Sequence, residues 1–333
     1  SLERSIGLSA HDFAQALCAK EVILTRSLRV DGTPTVPSRW LQRMDTVLKA
    51  AGLELPSGDA LEWAKKLDHI GDFKPRGRPE PKPAIKDRPR KLSVTKIETW
   101  MKDPYGIYAR YILDLKKLDP LEQRLDAAMR GTLIHDVLHR FIAKHKKTLP
   151  ANAENDFAAI AREELEALGL EEDVIGFWTP RLAKIAAWFV ATETNWREEM
   201  MPEKLEVSGE AKFANGTFTL TAKADRIDKS KDGRNAAVLD YKSGGSYPHK
   251  GIVSGKLPQL PLEMLILEDC GFGKDIAVPV SKLSYIVVNG GGEGGDMKPL
   301  TDPAKLQEAR ENARQGLEDL IAPTLTATVG NWR

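Results

Sequence analysis

In "AAVLDYKSGGS", residues 236–246, an apolar, β-prone run ends on Asp240, with Lys242 two residues on and a Ser-Gly-Gly turn behind it. Successive side chains of a strand alternate between faces, so Asp240 and Lys242 share one face and Tyr241 points to the other. The unbroken apolar run before Asp240 predicts a central strand buried on both faces. A charge at the end of such a strand is costly unless it is paired or holds a cation. Just upstream, "GTFTLTAKADRIDKS" (216–230) is a second strand, joined to the first by the turn "KSKDGRN" centred near residue 232. Antiparallel pairing across that turn sets Asp225 roughly opposite Asp240, with Cβ atoms about 5 Å apart. Two carboxylates that close repel unless a cation lies between them. Two carboxylates with one ammonium suit Mg²⁺-dependent phosphodiester hydrolysis. An Asp–Lys–Asp ladder on a sheet surface is the simpler alternative on these residues alone.

Outward from this hairpin, "LEVSGEAKFA" (205–214) and "SKLSYIVVNG" (281–290) also read as strands. Helices are predicted over about 258–269 and 303–320, giving an α/β sandwich of a meander, a helix, a strand and a helix. Residues 92 to about 200 are helical by periodicity, with loops near 117 and 148 and Ser93 as the first N-cap. Residues 1–72 also read as helical, including "HDFAQALCAKEVILTRS" (11–27) and "SRWLQRMDTVLKAAGL" (38–53). Between these regions, residues 73–91 are basic and proline-rich, as in a solvated linker.

Two further segments carry chemistry. In "RGTLIHDVLHRFI" (130–142), the apolar residues form one helical stripe with His135 at its edge, one turn after Gly131. Imidazole there suits a metal ligand, although a partly buried, hydrogen-bonded histidine is the plainer reading. A glycine inside a helix costs about 1 kcal/mol relative to alanine, so close approach by another group is one rationale for Gly131. His139 and His145 fall toward the polar side and are expected to be solvated. In "KLPQLPLEML" (256–265), Gln259 opens a helix directly after the Asp240 strand and its glycine-rich loop, and Glu263 lies one turn on. An amide at that point can orient water or bind a phosphate oxygen.

Order and spacing make these segments resemble RecB-type nucleases of the PD-(D/E)xK superfamily. "GTLIH" is similar to their G-x-x-x-H helix, "AKADRID" to their first metal-binding strand, "VLDYKSG" to the D-x-K strand and "QLPLE" to the Q-x-x-x-Y helix. "LSVTKIETWMKDPYGIYARYIL" (92–113) and "EVILTRSLRVDGTPTVPSRWL" (21–41) further resemble AddB-type helicase–nuclease subunits. The resemblance implies a restriction-endonuclease-like fold, a central mixed β-sheet flanked by helices and preceded by a helical region. Its implied domains are a helical tail of a truncated helicase-like domain (1–72), the linker (73–91) and the nuclease (92–325) with a helical insertion at about 148–200. It implies metal ligands at His135, Asp225, Asp240 and the Tyr241 carbonyl, with Asp240, Lys242 and Gln259 in catalysis. Mg²⁺ or Mn²⁺ is the implied cofactor. DNA, as single-stranded ends in double-strand break repair, and an AddA-type helicase–nuclease subunit are the implied partners. Two departures stand out. Asp103 occupies the place of an iron–sulfur cysteine found in many relatives, so no cluster is expected, and Glu263 stands where the helix motif has tyrosine.

Composition fits these expectations without selecting among them. The 333 residues are 41% hydrophobic and 29% charged, with net charge +1. Cys18 and Cys270 are the sole cysteines, too few for a four-cysteine cluster or a disulfide-stapled scaffold. That usage fits a reducing compartment, and a cytoplasmic, non-membrane protein is expected. No Walker motif accompanies the glycine-rich "NGGGEGGD" (289–296), which reads as a loop. Trp178 reads as core, with stacking against single-stranded DNA as the alternative. A DNA-binding module that keeps the nuclease fold without cleaving is the competing function.

Overall fold

Residues 2–325, other than 57, 70, 72, 73, 76, 78–80, 119–126 and 170–171, are described by a computed structural model. The chain divides into two units, residues 1–77 and 78–333. The first contains α1 (Leu2–Ala16), the antiparallel two-residue strands β1 (Arg29–Val30) and β2 (Thr33–Pro34), α2 (Arg39–Ala50) and α3 (Ala60–Asp68). Ser38 caps α2, its hydroxyl accepting from the Leu41 amide at 3.2 Å. The helical reading of residues 11–27 is corrected beyond Ala16. Val22, Ile23 and Leu24 follow one another and are all exposed, so they offer no apolar stripe that a helix would bury.

The second unit contains β3 (Lys91–Ser93), α4 (Val94–Lys102), α5 (Pro104–Tyr111), α6 (Ala127–Lys144), α7 (Ala153–Ala167) and α8 (Glu172–Trp196). There follow β4 (Met200–Phe213), β5 (Phe218–Ser230), β6 (Ala236–Lys242), α9 (His249–Val253), α10 (Gln259–Glu268), β7 (Val280–Val288), β8 (Gly295–Met297) and α11 (Pro303–Leu325). The mixed central sheet flanked by helices is therefore present. Its three-residue strands β3 and β8 are additions to the sequence reading, β8 overlapping the end of the segment read as a glycine-rich loop. Ser93 does stand before α4, but its hydroxyl pairs with that of Thr95 at 2.9 Å, leaving the helix amides uncapped by it.

Strand order is β3-β5-β6-β7-β8, with β4 on the other edge of β5. The meander β4-β5-β6 is antiparallel, β6-β7 parallel and β7-β8 antiparallel. One edge of β5 is shared: β3 pairs with Thr219–Thr221 and β6 with Arg226–Lys229. Among the described residues, Ala222–Asp225 have no strand partner on that edge, and the candidate site lies at this gap.

Two cores cover the two faces. Ala236 and Val238 of β6 pack with Leu283 and Tyr285 of β7 beneath α4, α10 and α11. Leu239 and Tyr241 pack with Ile286 and Val288 against α6, α7 and α8. Strand β6 is buried on both faces, as its apolar run requires. The basic linker is not wholly solvated. Arg88 is buried, its guanidinium donating to the carbonyls of Pro83 (3.0 Å) and Pro323 (2.6 Å). No described helix is long and apolar enough to cross a membrane.

Candidate functional site

The β5–β6 ladder runs from Lys229 opposite Ala236 to Arg226 opposite Leu239, so its next step brings Asp225 to Asp240. There the backbone pairing stops. The Tyr241 amide donates instead to the carboxylate of Asp225, at 2.8 Å to Oδ2. His135 reaches the same oxygen from α6, with Nε2 at 2.8 Å. The carboxylate of Asp225 thus ties the end of β6 to a helix from one layer.

Asp240 projects to the other layer, as the strand alternation requires, and is 2% exposed. Its Oδ1 accepts from Gln259 Nε2 at 2.5 Å, and its Oδ2 lies 2.6 Å from Lys242 Nζ. Lys242 also donates to Gln259 Oε1 at 3.0 Å, closing a triangle of carboxylate, ammonium and amide. The first turn of α10 therefore fixes both β6 side chains. Gln259 donates a second bond to Glu263 Oε1 at 3.2 Å, so Glu263 does face the same way. Tyr241 turns to the opposite core, its ring edge-on to His135 with centroids 5.5 Å apart.

On the far side of β5, the flanking pairs Leu205–Arg226 and Val207–Ala224 put Glu206 level with Asp225. Glu206 has a left-handed backbone, φ 49°, and its Oε1 lies 3.3 Å from His135 Nδ1. Its other oxygen pairs with Lys223. Glu206 is the residue that sequence reasoning missed. Within "LEVSGEAKFA" it reads as a solvent-facing strand position, although counting the β4–β5 register back from the turn at 214–217 places it opposite Asp225.

Burial and mutual repulsion set the electrostatics. Burial, then the charge of Asp225, pushes the Asp240 carboxyl up to about 7, although Lys242 pulls it down. Burial opposes the charged forms of His135 and Lys242, but their acidic neighbours together, Asp225 foremost for His135 and Asp240 foremost for Lys242, outweigh it, so both pKa values are raised. Burial, and Asp240 behind it, holds the Glu263 carboxyl well above its ordinary range. Carboxyl groups crowded in this way gain from an added positive charge. Atoms of His135, Glu206 and Asp225 lie within 4.8 Å of one another. Asp240 Oδ2 is buried without a well-aligned hydrogen bond. An imidazole and several carboxylate oxygens form a donor set that fits Mg²⁺ or Mn²⁺.

A family profile for the PD-(D/E)XK nuclease superfamily matches residues 91–332, most of the chain. This chain belongs to that superfamily. The superfamily match runs from β3 onward and includes every strand and helix that carries the cluster. An uncharacterized protein of Rickettsia felis is 29% identical over 268 residues, 76% of this chain. A subunit of an ATP-dependent helicase/deoxyribonuclease from Streptococcus agalactiae is 25% identical over 241 residues, 68% of this chain. The chain spans 30% and 20% of the lengths of these two relatives.

Behind the site, this nuclease-superfamily domain carries a buried ionic cluster. Arg226, fully buried, donates to both oxygens of Glu193 on α8 (2.7 and 2.9 Å) and both of Asp228 (2.7 and 2.6 Å). Trp196 Nε1 donates to Asp228 at 2.7 Å, and Arg197 Nε to Glu193 at 2.6 Å. The residue that follows Asp225 is thereby bolted to α8.

Three expectations outside the cluster are corrected or refined. His145 is not solvated: its side chain is 11% exposed, and Nε2 lies 3.1 Å from Asp156, because α7 folds back over the end of α6. His139 is half-buried with a buried Nδ1. Trp178 is buried in the α6–α8 core, so it offers no stacking face. Gly131 does admit a close neighbour, since a Cβ there would lie 3.3 Å from Ser243 Oγ, just beyond Lys242.

Proposed function

We propose that this domain is a divalent-cation-dependent deoxyribonuclease that hydrolyses phosphodiester bonds of single-stranded DNA ends, acting within a helicase–nuclease in double-strand break repair. The observation that carries the reading is the convergence of His135, Asp225, Asp240 and Lys242 where β5 lacks a partner between β3 and β6. His135, Asp225, Asp240 and the Tyr241 carbonyl would hold Mg²⁺ or Mn²⁺, which supplies Lewis-acid polarisation of the phosphate and a more acidic water. Asp225 orders the β6 backbone by accepting the Tyr241 amide, so the two aspartates keep a fixed relation to His135. Lys242, held by Asp240 and Gln259, places an ammonium beside the reacting phosphate and orients water for attack. Its ammonium is held by two partners, which limits the positions the charge can take.

The similarity to a helicase/deoxyribonuclease subunit supports assigning the chain to a larger assembly of that kind, with an AddA-type subunit as partner. Asp240→Ala and Lys242→Ala are each expected to abolish Mg²⁺-dependent cleavage of single-stranded DNA while the protein stays folded by circular dichroism. Cleavage at the wild-type rate in either variant, or in wild-type protein with excess chelator, overturns the assignment. Retained DNA binding without any cation affinity identifies a non-cleaving module instead.

A further inference from the structure

We propose that Glu206 is a positioning residue for His135, accepting the Nδ1 proton so that Nε2 is the nitrogen left for the cation; this rests on the cation site proposed above. Glu206 and Asp225 flank opposite edges of one imidazole: Oε1 is 3.3 Å from Nδ1, and Asp225 Oδ2 is 2.8 Å from Nε2. The Asp225 edge faces the other proposed ligands, so the Nδ1 edge is the one that must keep its proton. A histidine that ligates through one nitrogen commonly donates the other N–H to a carboxylate, which fixes the tautomer and ring plane and raises ligand basicity.

The backbone supports this role over an incidental surface pair. Left-handed geometry at a non-glycine residue inside a strand is strained. A glutamate whose only task was to pair with the exposed Lys223 needs no such backbone, because an ordinary strand position reaches a neighbouring strand equally well. The kink instead brings the carboxylate beside His135, where the side chain is 23% exposed. Lys223 then occupies the second oxygen, leaving Oε1 directed at the ring.

The test measures Mn²⁺ binding to the full chain without DNA, by titration calorimetry, for wild type, Glu206→Leu and Glu206→Gln. In parallel, ¹⁵N NMR of Mg²⁺-loaded wild type reads the protonation of the two His135 nitrogens. Glu206→Leu should weaken Mn²⁺ binding by about ten- to a hundredfold. Glu206→Gln, whose amide oxygen still accepts, should stay close to wild type, and wild-type His135 should carry its proton on Nδ1. Equal affinity in Glu206→Leu, equal weakening in both variants, or a proton on Nε2 overturns the role; the NMR result stands even if a variant fails to fold. Equal weakening would mark Glu206 as a direct ligand. Wild-type protein that binds no Mn²⁺ overturns the cation site itself, and this role with it.

Discussion

Asp240→Asn is expected to remove cleavage and, in the absence of divalent cations, to stabilise the protein at alkaline pH. The Asp240 carboxyl is pushed from an ordinary 3.8 to about 7 by burial and by Asp225. A group whose folded pKa lies above its unfolded value favours the folded state only while protonated. Its stabilising influence is complete below about 4, declines as pH rises, and is gone above about 7. Three pKa units at about 1.4 kcal/mol each put the penalty for the charged form near 4 kcal/mol at pH 8. That penalty already includes the pull of Lys242, which keeps its bond to Gln259 in the variant, so asparagine should gain up to about 4 kcal/mol at pH 8. Urea unfolding in EDTA at pH 5 and pH 8 reads the difference between wild type and variant. The gain should be largest at pH 8 and fall to less than half by pH 5, where the folded wild-type side chain is neutral and only the unfolded one is still ionised. Adding Mg²⁺ should stabilise wild type far more than the variant. An equal difference at both pH values, or a loss at pH 8, would refute the claim that Asp240 is a buried carboxylate awaiting a cation.

Three other outcomes follow from the same geometry. Arg226→Met should cost about 3–5 kcal/mol in urea unfolding, because it strands Glu193 and Asp228 as buried charges; a loss under 1 kcal/mol would contradict the cluster's role. Gly271→Ala should cost about 1–3 kcal/mol or more in the same assay, since its Cβ would lie 2.4 Å from the Glu210 carbonyl and 2.5 Å from Ile266 Cγ2. Mn²⁺ affinity should fall steadily from pH 8 to pH 5, with one to two protons displaced per cation, because the raised pKa values of Asp240 and His135 make protons compete in that range. A pH-independent dissociation constant by calorimetry would argue that neither group is a ligand.

The fold and half of the cluster are legible in the chain because they rest on short-range signals. The apolar run into Asp240 fixes a central strand, and the seven-residue turn before it fixes which residue faces Asp225. Alternation alone separates Lys242 from Tyr241. Other features depend on relations that no local pattern carries. The strands β3 and β8 span three residues each, too few for a period to register. Arg226 and Asp228 sit within "ADRID", on the same strand as Asp225, yet they serve a buried ionic cluster whose other half, Glu193, lies on α8. His145 follows directly after α6, on its polar side, and is covered only because α7 returns over it. Glu206 needed both the register of a second hairpin and a left-handed backbone.

The shared edge of β5 has a mechanical consequence. A continuous sheet is a partition: side chains of its two faces are separated by backbone and cannot meet. Here the break at Ala222–Asp225 is a doorway: His135 from the α6–α8 layer reaches the Asp225 carboxylate, which also holds the Tyr241 amide next to Asp240 on the α10 side. The site is therefore a rivet through three layers, and it survives only while the α6–α8 layer stays seated. Loosening that layer by heat or by a core substitution such as Phe189→Ala should abolish cation binding while the strands themselves are still paired.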